Sequence, residues 1–269
     1  LTAFVGLTTS MFSRPYMRIE RDHGKMTPPR LRLYHSMYQL FSATMLVPLT
    51  VSLWLNDDAL WAYDQALLIT LLAAALLWMV GRSGPRDLKI RDGYLLVTAT
   101  WSILPAFAAI PLVFYLPGLS FTDAYFETMA GLTTTGATVL SGLDGMAPSI
   151  LLWRGLLQWM GGMGIIVLFV AILPLLGFGG RQLYKAEMPG PMKESQLTPR
   201  IASTAKRLWL LSAGLTLACA LAYRLAGMSW LDAAVHSFTT MSLGGFSTHD
   251  ASYGYFNSPL LESITIIFM

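Results

Sequence analysis

Two short uncharged segments, Gly131-Leu-Thr-Thr-Thr-Gly-Ala-Thr-Val139 and Met241-Ser-Leu-Gly-Gly-Phe-Ser-Thr248, sit among long apolar stretches of this chain. Polar, non-helical backbone at membrane depth survives only where protein buries it or where it lines a water-filled path. Carbonyls stacked along such a loop can replace the water shell of a bare alkali cation. Glycine suits the loop because its backbone can turn a carbonyl toward an ion. It also leaves a narrow axis free of side chain. Thr134, Thr135 and Thr138 add neutral oxygens without fixed charge. The two segments therefore point to an ion pathway between membrane spans.

The spans are legible as apolar runs near 20 residues, at about 38–55, 61–81, 94–116, 149–178 and 207–227, with a further run beginning near 259. A run of that length crosses a bilayer as a helix. Of the 269 residues, 54% are hydrophobic and only 12% charged. That charge is about half the soluble average of roughly 25%, and the mean hydropathy is +0.54. The class is an all-α polytopic membrane protein. The net charge of +3 lies in short loops beside the spans, which argues against a nucleic-acid partner.

Basic residues orient the spans. Sixteen of the eighteen fall in three regions: Arg14 to Arg32, Arg82 to Arg91, and Arg181 to Arg207. The other loops carry Asp57, Asp58, Asp123, Asp144, Asp232 and Asp250 without Lys or Arg. The positive-inside rule places the N-terminus and the basic loops in the cytoplasm. Both glycine-containing segments then face outward.

The segments repeat. Asp123-Ala opens one and Asp232-Ala the other, and thirteen residues after each Asp comes a glycine, Gly136 or Gly245. Each Asp is expected to cap a short re-entrant helix by accepting orphan backbone N–H groups. The unit of span, short helix, extended loop and span occurs twice in one direction, and internal repetition of this kind is an architectural signal.

Other residues weigh less. The lone Cys219 excludes an internal disulfide, and His23, His35, His236 and His249 lack metal-ligand spacing. Arg154, inside the fourth span, either pairs with an acid such as Glu127 or Asp144 or reaches to headgroups. Arg224 favours the headgroups. Gly161, Gly162 and Gly164 suit close helix approach, and Gly177, Gly179 and Gly180 with Pro174 suit a helix end. No catalytic pair lies within a span, so the chain does not read as an enzyme.

Four motifs in order carry a family resemblance: Gly131–Thr138, Leu157-Gln-Trp-Met-Gly-Gly-Met-Gly-Ile165, Tyr184-Lys-Ala-Glu-Met-Pro-Gly-Pro191 and Gly244-Gly-Phe-Ser-Thr-His-Asp250. Over residues 38–269 the chain resembles the TrkH family, membrane subunits of bacterial Trk potassium uptake systems within the wider Trk/Ktr/HKT superfamily. The resemblance implies a potassium-channel-like fold of M1–pore helix–M2 repeats preceded by two extra transmembrane helices. Residues 1–37 lie outside the resemblance and read as a basic N-terminal cytoplasmic segment with no fold assigned. The resemblance implies the two extra helices at 38–93 and a first repeat at 94–180. A cytoplasmic linker at 181–206 and an incomplete second repeat at 207–269 follow. Four loops form the family's filter. Here the resemblance assigns Thr134, Thr135, Gly136, Ala137 and Thr138 to the first loop and Leu243, Gly244, Gly245, Phe246 and Ser247 to the second. Potassium would be held at Thr134, Thr135, Gly136, Leu243, Gly244 and Gly245, as transported ligand and with no covalent cofactor. Glycine at both key positions resembles the potassium-selective members.

The resemblance also implies a cytosolic nucleotide-binding regulatory subunit similar to TrkA, contacted through residues 181–206, a homodimer, and the bacterial inner membrane. Transport is expected down the electrochemical gradient, with symport of a second ion left open. Two repeats of four imply a fragment of a chain nearly twice as long. Two rival readings stay open at this point. A secondary transporter would use broken helices and an inverted repeat, which the common direction of the units disfavours. A non-conducting assembly subunit would tolerate bulky residues in the loops.

Overall fold

The computed structural model describes residues 29–81, 90–172 and 197–269, and all eight α-helices among them follow in chain order without strands. Helix α1 (Pro29–Leu55) and α2 (Leu60–Gly81) form an antiparallel hairpin, followed by α3 (Ile90–Tyr115). The short α4 (Phe121–Leu132) then leads through an irregular segment to α5 (Pro148–Ile172). Helix α6 (Leu197–Leu225), the short α7 (Trp230–Met241) and α8 (Pro259–Phe268) repeat the α3–α4–α5 order. Three of these helices hold stretches long and apolar enough to cross a membrane: Leu60–Met79, Val97–Tyr115 and Ala205–Leu225.

Helix α5 is the centre. Every residue from Ser149 to Gly161 is buried, and α1, α4, α6 and α7 all pack against it. A helix apolar on all sides belongs inside a bundle. Helices α2 and α6 instead leave Leu71, Leu72, Leu76, Leu210, Leu211 and Leu217 exposed, as suits surfaces facing lipid. Hydrogen bonds fix the start of α5: Tyr63 donates to the Ser149 carbonyl at 2.9 Å, Asp57 accepts the Ser149 N–H at 3.1 Å, and Tyr115 accepts the Ala147 N–H at 2.8 Å. Burial acts to raise the Asp57 pKa. Hydrogen bonds from Ser52, Ser149 and Ala59 outweigh it and hold the carboxyl below its usual range.

Prolines 105 and 111 lie inside α3. Three of its carbonyls, on Ser102, Pro105 and Ala108, accept from Tyr125, Thr128 and Trp153. Neighbouring helices thus bond to carbonyls close to the two prolines of a helix that continues through them.

The repeat is close. Helices α4 and α7 each span 12 residues and are offset by 109 in the chain. Gly118 and Gly227, at the same offset, have φ of 107° and 108°. The capping residues are Ser120 and Ser229, whose hydroxyls accept the Asp123 and Asp232 N–H groups. The aspartates expected as caps stand three positions later. There they accept from the serine hydroxyls at 2.7 and 2.6 Å and lend negative charge to the first helical turn.

Helix α1 begins at Pro29, inside the segment 1–37 for which the sequence alone assigned no fold, and α6 begins at Leu197, inside the stretch expected as a linker. Helical hydrogen bonding continues through polar turns that an apolar pattern does not mark. The remainder of the basic N-terminal stretch, the loop 82–89, the glycines at 177, 179 and 180 and the linker part 181–196 lie outside the described residues.

Candidate functional site: two adjoining re-entrant loops

Both short helices end in the same way. Thr133 and Ser242 donate N–H to the carbonyls of Met129 and Phe238, and Thr134 and Leu243 to those of Gly131 and Thr240. Thr135 and Gly244 donate to Ala130 and Thr239, both at 2.9 Å. The backbone then leaves the helix through two left-handed residues. Thr134 and Leu243 both have φ 55°, and Gly136 and Gly245 have φ 75° and 81°. A left-handed Thr or Leu is uncommon and costs roughly 1–2 kcal/mol. Strain of this kind gathers at functional sites. Its recurrence at a spacing of 109 residues marks both loops as built to one specification.

The two loops adjoin. A Cβ placed on Gly136 would stand 2.0 Å from the Gly244 carbonyl oxygen, so only glycine fits there, whereas a Cβ on Gly245 meets nothing within 4 Å. Thr135, Ala137 and Thr138 of the first loop and Leu243 and Gly245 of the second lie on the open face. Gly244, Phe246 and Ser247 are turned inward and buried. The ten residues expected as filter thus come together as two neighbouring segments.

A buried polar frame stands behind them. Glu127, on α4, accepts from Thr138 Oγ1 at 2.9 Å and from the Val139 N–H at 3.0 Å. His236, its counterpart on α7, faces Ser247 Oγ at 3.1 Å. Its other nitrogen, Nδ1, lies 2.9 Å from the Asp232 carbonyl. That carbonyl can only accept, so Nδ1 carries a proton, and in the neutral ring Nε2 accepts from Ser247. Thr138 and Ser247 in turn accept the N–H groups of Leu140 and His249.

Arg154 joins both halves. Its Nη2 lies 2.7 Å from Glu127 Oε1, its Nη1 donates to the Ser247 carbonyl at 3.2 Å, and its guanidinium covers the Phe246 ring at 4.4 Å. Of the alternatives read from the sequence, the ion pair with Glu127 is the one formed. Arg224, exposed, instead sits over Trp230 at 5.2 Å and donates to the Met228 carbonyl.

Gln158, one turn beyond Arg154, belongs to a motif that carries the family resemblance, but nothing in the sequence assigns it a role of its own. Its Nε2 donates to the Gly244 carbonyl at 2.8 Å and its Oε1 accepts the Phe246 N–H at 3.1 Å. A buried amide in an apolar helix was the only available signal. Among the described residues no group of three His, Cys, Asp or Glu side chains is placed to hold a metal ion. The loops offer neutral oxygens, a chemistry suited to weakly held alkali cations.

Residues 62–269 match the family model described as "TrkH: Cation transport protein". The chain belongs to the TrkH family. Similar relatives include the Trk system potassium uptake proteins TrkH of Escherichia coli K12 and of Vibrio parahaemolyticus. The first is 53% identical over 231 residues, which is 86% of this chain and 48% of the relative. The second is 50% identical over 240 residues, 89% of this chain and 50% of the relative. The crystal structure of the potassium transporter TrkH from Vibrio parahaemolyticus superposes with a TM-score of 0.76 at 45% identity. It matches 90% of this chain and 48% of that one. The chain thus spans about half the length of the curated TrkH relatives it matches. The family is one of cation transport proteins and not of enzymes.

Proposed function

We propose that this chain contributes two of the pore loops of a Trk-type potassium uptake protein. Residues 134–138 with Leu243 and Gly245 line the path, and potassium is held by oxygens of Thr134, Thr135, Gly136, Leu243 and Gly245; the Gly244 carbonyl, expected as a ligand, is instead taken up by Gln158. The observation that carries this reading is the pairing of two loops with left-handed residues at identical repeat positions, Gly136 seated against the Gly244 carbonyl. The curated relatives are named potassium uptake proteins of the Trk system, which supports the choice of ion. The acidic loops form the outer face and the N-terminus lies in the cytoplasm of the inner membrane, as the basic residues favour. The partners in this reading are a second copy of the complete protein and a cytosolic nucleotide-binding subunit similar to TrkA, met through the 181–206 stretch. Ions move inward with the membrane potential.

Rubidium and sodium uptake by the full-length gene product, in cells lacking other potassium uptake, tests this. Gly136→Ser places a side chain against the Gly244 carbonyl and at a left-handed position. The expected result is a fall in rubidium flux relative to sodium. An unchanged flux ratio in normally accumulating protein would remove the filter assignment.

A further inference from the structure

We propose that Gln158 and Arg154 are positioning residues for ion selectivity, with Gln158 setting the register of the second pore loop on the scaffold of the first repeat. The inference rests on the pore reading above and adds residues outside both loops.

Gln158 is fully buried, and both ends of its amide are committed to backbone on either side of Gly245. The partners are a carbonyl and an N–H, so the amide has one satisfactory orientation. An ionised Glu of the same length would only accept, so among side chains of that length the amide alone offers a donor and an acceptor without first taking up a proton. Gly245 itself is left on the open face between the two clamped residues. The loop is thereby fixed at its shoulders and free at its apex.

The grip reaches the first loop as well. The Gly244 carbonyl held by Gln158 is the atom against which Gly136 is seated. Any Cβ on Gly244 would lie 2.3 Å from the Gln158 amide. Gly136, the Gly244 carbonyl and Gln158 are thus stacked in direct contact, and a shift of the amide moves both loops. Arg154, four residues earlier on the same face of α5, holds the far end of the second loop through the Ser247 carbonyl. Through Glu127 it also ties down Thr138 and Val139 of the first loop. One helix of the first repeat therefore fixes the second loop at three backbone points. Buried polar groups used in this way lend specificity of arrangement, because each misplacement leaves one of them unmade.

The test compares Gln158→Glu, Gln158→Leu, Gly136→Ser and the control Trp159→Phe in the full-length protein, reading the sodium-to-rubidium uptake ratio. Trp159 donates an equally buried bond, to Thr216 Oγ1 at 3.0 Å on α6, so its one polar group is committed away from both loops. The ratio is expected to rise about tenfold or more in Gln158→Leu, which leaves two buried bonds unmade, one at the Gly244 carbonyl and one at the Phe246 N–H. It should stay unchanged in Trp159→Phe. Gln158→Glu keeps the volume but faces the Gly244 carbonyl with a carboxylate. Its ratio is expected to return toward wild type as the pH falls and the protonated acid regains a donor. If Gln158→Leu fails to accumulate, the pH profile of the Glu variant decides.

A raised ratio in Gly136→Ser beside wild-type ratios in both Gln158 variants would overturn the inference and leave the pore reading standing. Equal changes in Trp159→Phe and Gln158→Leu would overturn it too, since burial alone would then explain the effect. Unchanged ratios in all four variants would overturn the inference together with the pore reading.

Discussion

At the scale of single residues the decisive group is Arg154, a charge placed where charge is expensive. It is 1% exposed, as is Glu127. Its worth lies in what it joins, since replacing a buried pair by apolar residues is often neutral while breaking one is not. Arg154→Met leaves the Glu127 carboxylate with only Thr138 and the Val139 N–H, and is expected to cost about 3–5 kcal/mol. Glu127→Gln in the same chain should recover a large part of that loss by removing the uncompensated charge. Thermal unfolding of the detergent-solubilised full-length protein measures both, and additive losses in the double variant would contradict the pairing. Glu127 was legible as one candidate partner beside Asp144, because a membrane arginine that does not reach the headgroups demands an acid. Gln158 was not, because an amide signals nothing until its backbone partners, 86 and 88 residues away, are brought beside it. The left-handed Thr134 and Leu243 were equally hidden, since neither side chain announces the conformation.

At the scale of elements, glycines decide how near α5 comes to the two short helices. A Cβ on Gly161 would stand 1.9 Å from the Leu132 carbonyl oxygen at the end of α4, and one on Gly162 3.0 Å from Ser242 Cβ just past α7. Gly164 is different, with only Trp101 at 3.8 Å. Gly161→Ala is therefore expected to destabilise by about 1–3 kcal/mol, because the clashing atom is backbone and cannot rotate away. Gly164→Ala should be neutral or stabilising by up to about 1 kcal/mol through helix propensity. Thermal unfolding of the two variants side by side checks the ranking, and a reversed order would show that α5 does not set the spacing. The sequence made the close approach legible, since three glycines in four positions of an apolar span have few other uses. It did not say which helix each one meets. Helix bounds were least legible where polar residues continue a helix beyond its apolar part, as at Lys206 and Arg207 in α6.

At the scale of the whole molecule, the two repeats are latched together on the face proposed as outer. Asp250, beyond the second loop, accepts the N–H groups of Gly142 and Leu143, both at 3.0 Å. Reciprocally, Asp144 meets His249 Nδ1 at 2.5 Å and the Asp250 N–H at 3.4 Å. His249 stacks on Tyr255 with ring centroids 3.5 Å apart, and its Nε2 lies 3.5 Å from Asp232. The repeat was legible from Asp123, Asp232 and their glycines. This latch was not, because it pairs non-equivalent residues of the two units. The His249 hydrogen bond is the main influence holding the Asp144 carboxyl below its ordinary value of 3.8. A carboxyl whose pKa falls on folding contributes stability above its unfolded pKa and loses it as the pH drops through the folded one. Asp144→Asn should therefore melt below wild type at neutral pH, and the two curves should begin to converge below the ordinary aspartate value and meet only once the pH has passed the lowered folded one. Melting temperatures of the full-length protein from neutral to acidic pH measure this. A difference that persists undiminished in acid would show that the Asp144 charge is not what closes the latch, and that the Asp250 side of it joins the repeats alone.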